Sequence, residues 1–171
     1  RVEKMLSPLE DKSKPLQQRL QLLPTRQILD ELQSYVTFAG ALARYFWPAR
    51  NKYEARADFL RERFGVDKSN PLANKDLPNG LEHFDERLDE FLATQDVFGM
   101  ILPDYVGLSI KEGDIRGHLF RAYFIDTHRF VLFNQAYELP PLIEAVFALG
   151  RQLCDKDLNG AVLRFKPKEK G

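Results

Sequence analysis

Cysteine occurs once in the 171 residues, at Cys154. A single thiol excludes an intramolecular disulfide and any thiolate-rich zinc site, and it suits a reducing compartment. On an apolar helix face, Cys154 reads as a small buried hydrophobe. No apolar run reaches the length that spans a bilayer, and residues 2–10 lack the apolar core of a signal peptide. The expectation is a cytoplasmic protein without a membrane partner. Excess charge is missing as well: 25 basic residues stand against 25 acidic ones. Such a balance gives no global attraction to nucleic acid and leaves only local basic patches. There is no Gly-rich phosphate loop, no Gly-x-Ser-x-Gly elbow and no His-Glu-x-x-His. His83, His118 and His128 are far apart in sequence and show no ligand spacing, so neither a metal nor a cofactor is expected. No internal repeat and no low-complexity tract is present.

Hydrophobic residues make up 44% of the chain, enough for a real core at the length of one domain. Residues 1–23 are charged and broken by Pro8 and Pro15, and read as an N-terminal arm. From Pro24, the residues Ile28, Leu32, Tyr35, Val36, Ala39, Leu42 and Phe46 hold a helical period until Pro48 closes the run. A second helix follows from near Pro48 to Phe64, with Tyr53, Ala57, Leu60 and Phe64 on its apolar side and Gly65 as its stop. Its other face mixes Lys52, Arg56, Arg61 and Arg63 with Glu54, Asp58 and Glu62, which is not a pure basic stripe. Trp47, with Tyr45 and Phe46 beside it, suits a core or an interface better than a stacking platform.

Asp76 to Leu92 carries the densest polar constellation. Asp76 is placed to cap the helix and Pro78 fits a first turn. Leu77, Leu81, Phe84, Leu88 and Phe91 make one apolar stripe, while Asn79, His83, Glu86 and Glu90 fall elsewhere, with Arg87 one turn after His83. Past Ala93 the helical period is lost: Gly99, Pro103, Gly107, Gly113 and Gly117 punctuate the segment up to His118. Leu119 to Ile125 and Arg129 to Tyr137 read as an antiparallel β-hairpin around Asp126-Thr127-His128. Its alternating aromatic and basic residues fit a ribbon packed on a helix, or less simply an RNA-binding sheet face. Pro140-Pro141 opens a helix through Leu153, and Ala161 to Phe165 suggests a last short strand. The predicted fold is mainly α, a helical bundle over residues 24–93, followed over residues 94–171 by a loop, the hairpin and a C-terminal helix; α+β is the alternative.

The stretch Asn79 to Leu88 after long helices resembles the motif region of HEPN-type domains, whose signature is an Arg, then a polar residue, and a His separated from the Arg by four to six intervening residues. Asn79 matches the polar position and His83 the histidine; Pro78 stands at the arginine position. The likeness covers about half the chain. It implies a helical bundle and a metal-independent ribonuclease of toxin–antitoxin or defence type, with a homodimer and RNA as partners. Such cleavage needs a proton acceptor for a 2′-hydroxyl and positive charge for the phosphate. His83 and Asn79 supply the first role, and Arg87 is the candidate for the second. Glu82, Glu86 and Glu90 oppose an RNA backbone. The plainer alternative is a non-enzymatic interaction or scaffold module in which this helix is structural.

Overall fold

The computed structural model describes residues 1–94, 99–110 and 117–158. They form a mainly α protein with one small mixed sheet. The chain divides into two compact units, Arg1–Thr37 with Leu77–Leu139, and Phe38–Asp76 with residues from Pro140 onward.

Helix α3, Thr25–Phe46, is the long helix expected after Pro24, and it contributes residues to both units. Its periodic apolar side is buried at Ile28, Leu29, Leu32 and Val36 in the first unit and at Ala39, Ala43 and Phe46 in the second. The segment read as an arm holds two short helices, α1 over Val2–Met5 and α2 over Leu16–Gln21. The Arg1–Glu31 ion pair at 2.9 Å ties it to α3, and a hydrogen bond from Arg19 to the Leu9 carbonyl holds its own two halves together.

The first unit also contains the sheet, in the order β1-β2-β3-β4. Where the sequence reading has one hairpin, the structure has four strands. β1, Met100–Gly107, runs parallel to β2, Gly117–Phe124. β1 escapes sequence detection because Pro103 interrupts it. As an edge strand it tolerates that proline, which has no N–H to donate to a ladder. The expected strand from Arg129 to Tyr137 is in fact two antiparallel strands, β3 over Arg129–Leu132 and β4 over Gln135–Glu138. Phe133 and Asn134 form a two-residue turn between them, both at positive φ (47° and 64°). That is the backbone of a hairpin turn matched to strand twist, and Asn accepts it far more readily than Phe does. The proposed last strand at Ala161 to Phe165 lies outside the described residues.

Arg121 on β2 joins three segments of this unit. It donates at 2.8 Å to Asp104 on β1 and to both Asp30 and Gln33 on α3. Burial lowers its pKa, but the Asp104 and Asp30 carboxylates outweigh that effect and the net shift is upward. Ser109, just past β1, donates from its backbone N–H and its hydroxyl to Asp126 in the β2–β3 turn, at 2.8 and 2.6 Å. These bonds hold the Asp126 carboxyl below its usual range.

In the second unit, α4 covers Glu54–Phe64 and follows a 3₁₀ turn at Asn51–Tyr53 rather than starting at Pro48. Gly65 closes it at φ 61°, a conformation that costs a residue without Cβ nothing. Phe46 meets Phe64 edge to face at 5.7 Å. Helix α7, Pro140–Leu158, packs on the 3₁₀ turn Pro71–Ala73 and buries Leu142, Ala145 and Leu149. Cys154 is exposed on α7, contrary to the buried hydrophobe expected, because at 3.6 residues per turn it falls off the buried stripe of Leu142, Ala145 and Leu149. Among the described residues, no helix is long and apolar enough to cross a membrane.

Arg121→Ala is expected to destabilise the protein by about 1–3 kcal/mol, because it strands three acceptors while two of its partners remain partly hydrated. Arg121→Lys is expected to recover less than half of that, since one ammonium cannot reproduce the planar fork. Urea unfolding of the three proteins measures both values.

Candidate functional site

The stretch singled out in the sequence forms two helices that meet at His83: α5, Asp76–Glu82, and α6, Phe84–Thr94. The backbone ladder nevertheless continues, with the His83 N–H bonded to the Asn79 carbonyl at 2.9 Å and the Arg87 N–H to the His83 carbonyl at 3.0 Å. The capping role expected of Asp76 falls to Asn74, whose side-chain oxygen accepts the Asp76 N–H at 2.9 Å; Asp76 is itself the first helical residue.

The inner side of α5 consists of Leu77, Pro78, Gly80 and Leu81, all buried. Gly80 lets the helix come close to β3: a Cβ there would lie 2.9 Å from Leu132 Cδ2. Sequence reading places Gly80 between Asn79 and Leu81 without a reason for it; the close approach supplies one. Further along, Phe133 fills the angle between helices and sheet. Its ring lies 4.7 Å from Phe84, 5.6 Å from Phe91 and 5.6 Å from Phe120. His118 closes the cluster edge-on to Phe91 at 5.3 Å, and its Nδ1 sits 3.0 Å from Asn134 Nδ2. It is half-buried. His128 lies in an exposed turn, with Nδ1 3.0 Å from the Tyr123 hydroxyl. Burial raises the pKa of that hydroxyl.

Asn79, His83 and Arg87 are all exposed. Asn79 and His83 stand one turn apart. Carboxylates stand close by: Glu86 lies 3.6 Å from His83 Nδ1, and Glu90 pairs with Arg87 at 3.2 Å. Glu82, Asp85 and Asp89 are exposed along the same helices. Arg87 also faces a cleft of about 350 Å³ with Glu90, Phe91, Phe133, Gln135 and Tyr137, a cleft that neither Asn79 nor His83 lines. Asn79 and His83 thus share a surface, whereas Arg87 is shared between that surface and the cleft. Pro78, at the arginine position of the motif, is buried. Of the hairpin residues read as a possible RNA face, Tyr123, Phe124 and Phe130 are buried and Arg121 is held by carboxylates. Among the described residues, no group of three or more His, Cys, Asp or Glu is arranged to hold a metal ion.

Comparison with protein-family models, curated proteins and solved structures yields no match.

Phe133 combines a disfavoured backbone with a well-packed ring, so the two contributions separate by substitution. Phe133→Ala is expected to lose about 2–3 kcal/mol through lost ring contacts. Phe133→Gly loses the same contacts but relieves the left-handed strain, and is expected to be about 1 kcal/mol more stable than the alanine variant. Thermal or urea unfolding reads the order directly.

Proposed function

We propose that this chain is a HEPN-like helical module that lacks ribonuclease chemistry and acts by binding, with the α5–α6 helices as its frame. The observation that carries this reading is the burial of Pro78. The position that would present a guanidinium to the scissile phosphate points into the packed side of α5, away from the exposed Asn79 and His83. Arg87 is a poor replacement, because Glu90 already pairs with it and further carboxylates surround the surface. An RNA phosphate would bring more negative charge to a face that already has an excess of it. His83 retains the chemistry of a proton acceptor but has no phosphate clamp beside it.

One observation favours the competing reading, an active metal-independent ribonuclease assembled from two copies. Asn79 and His83 are exposed and one turn apart, so a second chain could lay cations against them.

The test is cleavage of a labelled single-stranded RNA in excess chelator by wild type and by His83→Ala, each purified identically. The expected result is equal, background-level cleavage for both. Cleavage by wild type that falls tenfold or more in His83→Ala, about 1.4 kcal/mol of transition-state stabilisation, would establish the two-copy nuclease instead.

A further inference from the structure

The second unit carries a surface that the mixed charges of its sequence conceal. From Arg44 to Phe64 there are six cations and three anions. In sequence they interleave; in space they are sorted. Arg61 gathers two of the three carboxylates, Glu54 at 2.7 Å and Asp58 closer still, while also donating to the Phe46 carbonyl. Arg56, five residues before Arg61 and so on another side of α4, goes the other way. Its guanidinium lies 5.2 Å from the Tyr45 ring centre and 5.1 Å from the Tyr53 ring centre, and Lys52 Nζ lies 4.8 Å from the Tyr53 ring. Arg56 donates only a long 3.4 Å bond to the Arg44 carbonyl, and its Nε is buried without a hydrogen-bond partner.

Both tyrosines remain open to solvent, at 56% for Tyr45 and 40% for Tyr53. Phe38, two turns before Tyr45 on α3 and so on the same side of that helix, is 73% exposed. Arg44, Arg50 and Lys52 are exposed around them. Three large rings in water would be a liability unless something covers them. The cations say what that is. A second copy docking through the same patch would oppose like charges across a two-fold interface, which is unfavourable. A partner bearing both flat rings and regularly spaced negative charge satisfies the rings and the cations together.

We propose that the Tyr45–Arg56–Tyr53 surface binds single-stranded nucleic acid, with unpaired bases stacking on the tyrosines and phosphates neutralised by Arg56, Lys52, Arg50 and Arg44. Stacking and charge do not read the sugar, so deoxyribose and ribose strands are bound alike. A duplex keeps its base faces covered and gains only the charge term. This surface lies in the second unit and does not depend on how the Asn79–His83 face is read.

Fluorescence anisotropy with labelled thymidine and uridine homopolymers of about twenty nucleotides, and with a duplex of the same length, tests it. Both single strands are expected to bind within about threefold of each other and at least about tenfold more tightly than the duplex. The log–log dependence on salt is expected to have a slope of about −3 for four cations. Tyr45→Ala and Tyr53→Ala should each weaken binding about fivefold or more, with Tyr→Phe at either position restoring it, because stacking does not need the hydroxyl. Arg56→Ala should flatten the salt slope by roughly one cation's share. Circular dichroism of each variant checks that it is folded; the rings are exposed and their loss is expected to leave the fold intact. Absence of binding by the wild type at low salt would overturn the proposal. So would alanine variants that bind as the wild type does, or a wild-type dimer in sedimentation that Tyr45→Ala dissolves.

Discussion

Phe133 holds a backbone conformation that L-residues with large side chains avoid, at a cost of about 1–2 kcal/mol. It is kept there by contacts on three sides: Phe84 and Phe91 from the helices, and Phe120 from the neighbouring strand. The turn is anchored as well, since the Phe133 and Asn134 N–H groups bond to the Phe120 and Leu119 carbonyls at 2.9 Å and Asn134 Oδ1 accepts the Leu119 N–H at 2.7 Å. This one aromatic wedge sets how α5 and α6 lie on the sheet. With Phe91 turned inward and Gly80 pressed to Leu132, the rotation of α5 is fixed: residues 77, 78, 80 and 81 are buried, and 79 and 83 face out. The identity of the candidate site follows from that rotation.

The helices were legible in the sequence because their apolar periods are long and strong. Ile28 to Phe46 gives α3 almost to the residue, and Gly65 marks the end of α4 by a conformation that only its lack of Cβ makes easy. The sheet was half legible. Leu119 to Ile125 stands out by composition, but β1 was hidden by Pro103, whose edge position is a tertiary fact. The turn at Phe133-Asn134 was hidden because Phe is an improbable turn residue. Its place there depends on rings that come from residues 84, 91 and 120, which no local window contains. Parallel pairing of β1 with β2 was likewise invisible, since a strand–helix alternation is the sequence sign usually sought for it.

The candidate site was legible as a list of residues but not as a geometry. Asn79, His83 and Arg87 are all exposed, as their helical positions imply. What the sequence could not show is which side of α5 holds Pro78, or that Arg87 is committed to Glu90. Charge sorting in the second unit is a similar case. Glu54 and Asp58 interleave with Arg56 in the chain, and only the reach of Arg61 takes them away from it. In both places side-chain pairing, rather than composition, decides whether a cation is available to a ligand.

Pro78 is therefore the hinge between scaffold and enzyme. If the frame is fixed as described, an arginine introduced at that position has to enter a buried site with no partner, at a cost of about 3 kcal/mol or more. The most direct measurement is the unfolding free energy of Pro78→Arg, taken together with its cleavage of RNA in chelator. The expected result is a protein destabilised by that amount, with no cleavage above the wild-type background. A Pro78→Arg protein as stable as the wild type, cleaving RNA in a manner abolished by adding His83→Ala, would contradict the account and mark the α5 face as an active site one residue short.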